Sequence, residues 1–228
     1  MLPGESFDAL SRFGQSVSAA PQPTKDISIA KFLPATLIPD TALSDDRLER
    51  FASDSLDADH IRCERNRNGT LRIYPPAPEV TRLMVNKVYT DLLHWLARAG
   101  WHGQPMIRRR FFLEDGVMMC PDVAYVPSRP GRKRPDIGPV SILRLCPNFV
   151  VEVCSHPREL RHLKDKMLRW IANGIELGWL MVPQEQCVFI YSPGAEPEIV
   201  DADFVAGNGP VERFFIFLDD IWRLDALF

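Results

Sequence analysis

Glu152 lies inside the run Phe149-Val150-Val151-Glu152-Val153, where an ionised carboxylate is costly unless a cation or several hydrogen bonds compensate it. Strand alternation puts Glu152 on one face with Val150 and Cys154, and Phe149, Val151 and Val153 on the other. An arginine paired across the strand face would meet that demand as well as a metal ion. A second carboxylate, Asp122, follows Pro121 and opens the apolar run Val123-Ala124-Tyr125-Val126. Taken alone this is turn chemistry, the side chain bonding local backbone N–H groups. If the two strands are neighbours, however, Asp122 and Glu152 converge on one hard divalent cation, with the backbone carbonyl of Val153 as the natural third protein ligand. Such an ion activates water and offsets the charge that develops on a phosphate under in-line attack. A nearby lysine completes that chemistry. Lys164 and Lys166 are both on offer, at opposite edges of one apolar arc, so only one of them faces a given site. The ordinary fate of either is a solvated ammonium whose stem shields the edge of the core.

The elements that must position these groups are legible from periodicity and punctuation. Ser44 ahead of Asp45-Asp46-Arg47-Leu48 reads as the N-cap of a short helix. Ile61 to Tyr74 reads as a hairpin turning on Asn68-Gly69. A long helix is expected from Glu79 to Ala99, closed by Gly100, with Met84, Val85, Val88, Leu92, Trp95 and Leu96 as its buried stripe. A second hairpin pairs Ile107–Leu113 with Val117–Val126 across Asp115-Gly116. After a proline-rich loop at 127–139 come the strand Phe149–Cys154 and a helix from Pro157 to Asn173 ending at Gly174. Its inward arc holds Leu160, Leu163, Met167, Trp170 and Ile171. Leu177–Val182 and Cys187–Tyr191 are strands, and Arg213–Leu218 is an extended run before a short amphipathic end. This order describes an α+β, mixed α/β fold: a mixed sheet flanked by helices. Residues 1–42, rich in Ser, Pro, Ala and Thr, read as a flexible or draped arm, and 43–228 as one domain.

Bulk properties narrow the function only a little. A net charge of -3 argues against a protein that coats nucleic acid through a uniformly basic surface, while leaving room for a local grip. The basic residues are clustered, at Arg108-Arg109-Arg110 and again at Arg129, Arg132, Lys133 and Arg134, and each cluster is either a solvated face or a phosphate contact. Five cysteines without a CxxC pair argue against a zinc site or a disulfide framework. No segment approaches the ~20 apolar residues of a membrane span. The start MLPGESFDAL lacks the features of a secretion signal, and a cytoplasmic setting is expected.

The ordered series Phe112-Leu113-Glu114-Asp115-Gly116, Pro121-Asp122-Val123-Ala124 and Cys146-Pro147-Asn148-Phe149-Val150-Val151-Glu152-Val153 with Ser155 continues through Lys166-Met167, Ala172-Asn173-Gly174 and Leu177-Gly178-Trp179-Leu180 to Pro183. From about Ser44 to the end it resembles the Uma-two family, restriction-endonuclease relatives within the PD-(D/E)xK nuclease superfamily. The resemblance implies a restriction-endonuclease-like fold and hydrolysis of DNA phosphodiesters with Mg2+ or Mn2+. It also implies that Asp122 and Glu152 are metal carboxylates and Lys166 the catalytic lysine. In the wider superfamily that lysine stands two residues after the glutamate, where this chain has Cys154, so the resemblance moves it to the following helix and selects Lys166 over Lys164. Such nucleases often draw a further acid from the first long helix. Glu79 is the nearby candidate, although the family's polar positions there fall on Val80 and Val85.

These residues are open to three functions. The first is a metal-dependent endonuclease acting on DNA, for which a homodimer would suit double-strand cutting. The second is a nuclease-fold module that binds nucleic acid or protein with little or no cutting. The third, hydrolysis by Ser155 with His156, fails on geometry, because neighbouring strand side chains point to opposite faces and no nucleophile elbow is present.

Overall fold

The computed structural model describes residues 34–39, 44, 46–50, 61–100, 102–128 and 142–225. In chain order the first strands are β1 (Ala35–Leu37), β2 (Arg62–Arg65), β3 (Leu71–Tyr74), β4 (Gly103–Ile107), β5 (Arg110–Phe112), β6 (Met118–Met119) and β7 (Val123–Pro127). They are followed by β8 (Ile142–Leu143), β9 (Phe149–Val153), β10 (Leu177–Val182), β11 (Cys187–Tyr191), β12 (Glu198–Val200), β13 (Phe204–Ala206) and β14 (Phe215–Phe217). The helices are α1 (Glu79–Ala99), α2 (Leu160–Ala172) and α3 (Asp219–Asp225), with a further helical turn at residues 46–50.

Instead of one mixed sheet there are two, each of six strands, plus a β13–β14 ribbon. The central sheet runs β12-β11-β10-β9-β7-β4, and the second runs β1-β3-β2-β6-β5-β8. Within the central sheet β9 and β10 are parallel while β7 pairs with β9 antiparallel, so the sheet is mixed as expected. One face of it packs on the stripe of α1, on α3 and on the ribbon, through Phe149, Val151, Trp179 and Phe214. The opposite face, carrying Val150, Cys154, Leu180 and Phe189, packs on Leu163, Met167 and Trp170 of α2 and on Phe111 and Met119 of the second sheet. The far side of the second sheet closes a smaller core of Leu48, Cys63, Leu71, Ile73 and Met118.

The long hairpin expected from Ile107 to Val126 is broken. Its tip survives as β5–β6, turning at Gly116, but its base is β4 paired with β7 in the other sheet. The chain bends at Arg108, a non-glycine residue held at φ 47, and at Cys120-Pro121-Asp122, with the Arg108 N–H donating to the Asp122 carbonyl at 3.0 Å. Proline lacks the N–H a continuing ladder needs. A left-handed non-glycine residue costs roughly 1–2 kcal/mol, so the surrounding structure holds that strain at the junction. The junction therefore carries Asp122 and Arg108 at the seam between the two sheets.

Other expectations need smaller changes. The β2–β3 hairpin forms, but only Gly69 of the Asn68-Gly69 pair takes positive φ, at 84. Part of the expected arm is ordered as β1, which pairs antiparallel with β3, and the remaining residues before 34 lie outside the described set. The basic cluster at 129–134 also lies outside the described residues. α1 runs from Glu79 to Ala99 with Gly100 as its left-handed cap, and all six expected stripe residues are buried.

Candidate functional site

The strands bring Asp122 and Glu152 together through register. Val123 on β7 lies opposite Val151 on β9, so one further step sets Asp122 opposite Glu152. Asp122 is 1% exposed, Glu152 0% and Lys166 4%. Lys166 comes from α2, whose residues Met167 and Trp170 seat it on the central sheet. The terminal methyl of Met167 fills the space over Gly178 on β10, where a Cβ would collide with it.

Lys166 Nζ is 2.7 Å from Glu152 Oε1 and 2.7 Å from Glu64 Oε1, and it donates to the Cys120 carbonyl at 2.8 Å. These contacts use all three ammonium donors. Glu152 Oε1 also accepts from Trp170 Nε1 at 3.1 Å, whereas Glu152 Oε2 is buried without a partner. Asp122 Oδ2 accepts from the Val153 N–H at 3.0 Å. Its Oδ1 lies 3.4 Å from Arg62 Nη1 and 3.3 Å from Arg108 Nε. Val153 thus meets Asp122 through its backbone N–H. Lys164 is not part of the cluster: its ammonium sits 4.0 Å over the ring of Phe189.

Glu64, on β2, is a third carboxylate that sequence reasoning missed. Its Oε1 accepts from Lys166 and from the Cys120 N–H at 3.2 Å, and its Oε2 accepts from the Tyr74 hydroxyl at 3.0 Å. The available signal was weak: Arg62 and Glu64 share one face of β2 while Cys63 points into the small core. A charged face on a short hairpin reads as solvated until α2 is seen to pack across it. Glu79 goes the other way. It is an exposed first-turn residue of α1, and the buried residue of that turn is Thr81. Thr81 Oγ1 donates to Ser155 Oγ at 3.1 Å.

Burial and charge set the protonation states. Burial pushes the Glu152 carboxyl up; Lys166 draws it back, the Asp122 and Glu64 charges add to the push, and it settles at about 7. Burial acts in the same sense on Asp122, but Arg62, Arg108 and the Val153 N–H prevail and hold it below the usual carboxylate range. Glu64 is likewise held low, Lys166 outweighing its burial. Burial works against a charged Lys166, yet Glu152 and Glu64 more than compensate and raise its pKa, so it remains an ammonium. An ammonium cannot take a proton from water. It can place charge and orient a donor.

The fit to a divalent ion rests on the orphaned Glu152 Oε2, a hard oxygen with no proton donor beside it and a carboxylate neighbour in Asp122. The contacts of Arg62 and Arg108 to Asp122, at 3.3–3.4 Å, are at the long limit of hydrogen bonding and are replaceable. Among the described residues no group of three His, Cys, Asp or Glu side chains is arranged to hold a metal. Asp122 and Glu152 would therefore need backbone carbonyl and water oxygens to complete a coordination shell.

Comparison with curated proteins finds no match. Among solved structures, a protein of Anabaena variabilis ATCC 29413 described as "a putative nuclease belonging to DUF820" aligns with a TM-score of 0.59 at 19% identity, covering 71% of this chain and 90% of that one. At that identity the likeness is one of fold. Among protein families, the one described as "Putative restriction endonuclease" matches residues 46–213, a span that takes in Glu64, Asp122, Glu152 and Lys166. With most of its length matched, the chain belongs to the Uma2 family.

Proposed function

We propose that the protein is an endonuclease that hydrolyses DNA phosphodiester bonds with a divalent metal, magnesium or manganese, held by Asp122 and Glu152, and with Lys166 as the catalytic cation. One observation carries this reading: Asp122, Glu152 and Lys166, far apart in the chain, share one buried cluster in which an oxygen of Glu152 has no partner. When bound, the ion would lower the pKa of a coordinated water and offset negative charge on the phosphate. The remaining work falls to the side chains. Asp122 is kept ionised by its arginines and is ready to bind a cation, while Glu152 must release its proton to do so. Lys166 supplies a fixed positive charge beside the phosphate oxygens. Water adds to phosphorus, the P–O ester bond breaks, and the departing oxygen takes up the proton.

The test is nicking of supercoiled plasmid in magnesium or manganese by wild type and by Asp122→Asn, Glu152→Gln and Lys166→Ala, with folding checked by circular dichroism. Each variant should lose activity by about 10² or more, the scale of removing one charged participant. Cleavage that survives all three changes refutes the site.

A second reading, a DNA-binding module that does not cut, is favoured by the arginines on Asp122. Arg62 and Arg108 already neutralise the carboxylate a metal would need. Binding would then be sensitive to salt and indifferent to a chelator.

A further inference from the structure

A cavity of about 120 Å³ opens beside the charged cluster, with Asn66, Arg72, Tyr74, His162, Lys166 and Arg169 among its lining residues. α2 and β3 supply its polar walls, and residues 64–66 and 117–119 close the rest. On α2, His162, Lys166 and Arg169 are spaced i, i+4 and i+7, so they project from one helix face. On β3, Arg72 and Tyr74 alternate with the buried Leu71 and Ile73 and therefore point the other way, towards that helix. Lys166 reaches beneath the cavity to Glu64 and Glu152, which makes its floor continuous with the candidate active site.

The charges facing this space are unbalanced. Arg72 Nη1 donates to His162 Nδ1 at 3.4 Å and its guanidinium lies 5.2 Å over the Tyr74 ring; Arg169 donates to Asn66 Oδ1 at 3.3 Å. Among the described residues neither guanidinium is paired with a carboxylate, and Glu64, the one acid lining the cavity, is committed to Lys166 and Tyr74. The hydrogen bonds also fix the imidazole. Because Arg72 can only donate, Nδ1 accepts, so Nε2 carries the proton and meets the Tyr74 oxygen at 2.9 Å, leaving the Tyr74 hydroxyl hydrogen for Glu64. A neutral histidine adds no countercharge, and each of the two guanidiniums keeps further N–H donors beyond its one neutral partner, suited to a tetrahedral oxyanion.

We propose that this cavity binds a phosphate group, either at the end of a DNA strand or as free inorganic phosphate, through Arg72 and Arg169, with Lys166 contributing charge from below. The size agrees: the volume is far below the roughly 300–1,000 Å³ of a pocket for a drug-sized ligand. The site draws on the nuclease reading only for the identity of the strand that carries the phosphate, and it does not require cutting.

The experiment is titration of the full chain with inorganic phosphate in EDTA, followed by NMR of the His162 ring and by calorimetry, with potassium chloride as the ionic-strength control. Saturable binding is expected, with a rise in the His162 pKa as a dianion settles beside it. Arg72→Gln and Arg169→Gln should each weaken it by about tenfold, the loss of a charge-assisted contact. Arg161→Gln, on an exposed part of the same helix, should leave it unchanged. Glu152→Gln, which abolishes the proposed cleavage, should still bind phosphate, so failure of the nuclease reading and failure of this one are distinguishable. Duplexes with 5′-phosphate, 3′-phosphate or hydroxyl ends separate the sources: preference for one phosphorylated end assigns the strand terminus, and equal affinity for all three assigns free phosphate. No saturable response in wild type, or equal loss in Arg161→Gln and Arg72→Gln, overturns the proposal.

Discussion

Replacing Lys166 by Met keeps the length and apolar stem of the side chain and removes its charge. In the wild type the ammonium meets Glu64 and Glu152 at 2.7 Å each and the Cys120 carbonyl at 2.8 Å. The variant leaves two buried carboxyls without their shared cation, and breaking a buried pair in this way costs about 3–5 kcal/mol at neutral pH. The loss must depend on pH. In the variant both carboxyls have folded-state pKa values above the unfolded value of ~4.3, so folding takes up protons; stability is fullest below that value and falls as pH rises through the raised values. Wild-type Glu64 has the opposite sign: its pKa is lowered, so the stability it contributes is present above ~4.3 and is lost as the solution is acidified. The gap between wild type and Lys166→Met should therefore be smaller near pH 5, where the wild-type Glu64 contribution alone separates the two, and widen to several kcal/mol near pH 8, measured by urea unfolding at both values. A gap that is the same at both pH values, or below about 1 kcal/mol at pH 8, would mean that Lys166 does not neutralise a buried acid pair.

Three further outcomes test the same arrangement. Trp170→Phe keeps an aromatic ring against Phe111 but deletes the donor to Glu152 Oε1; it should lose about 2 kcal/mol in urea unfolding, and a loss within error would show that hydrogen bond to be dispensable. Gly178→Ala puts a Cβ against the terminal methyl of Met167, which must turn aside beneath α2. It should cost about 1–3 kcal/mol and lower plasmid nicking along with stability, so full activity in a destabilised variant would separate helix seating from the site. Arg108→Gln removes one of the cations competing for Asp122, and manganese affinity measured by calorimetry should rise by about tenfold. Unchanged or weaker affinity would show that the arginine does not occupy the metal's place.

Most of the local architecture was legible. The stripe of α1, the inward arc of α2 and the alternation of β9 are periodic signals, each decided within a few residues by burial on one side. Glu152 was conspicuous because its cost is local, a charge among Phe149, Val150, Val151 and Val153. Where a cost depended on a distant partner, the sequence was mute. Nothing near Glu64 announces that Lys166 will reach it, and nothing near Arg62 announces Asp122. The split hairpin had one local clue, Pro121, but the strained dihedral of Arg108 is tolerated only because two sheets meet there.

The sequence by itself determined the helices, most strands, the buried faces and the presence of an acid that needed compensation, because backbone dihedral preference and side-chain burial act over one or two turns of chain. The tertiary structure alone decided what compensates it. Periodicity left Lys164 and Lys166 on opposite edges of one arc, and the packing of α2 over Gly178 turned Lys166 towards Glu152 and Glu64 and Lys164 towards Phe189. Ion pairs between residues far apart in the chain depend on sheet order, strand register and helix seating, which the whole chain sets together, and no short stretch of sequence carries that information.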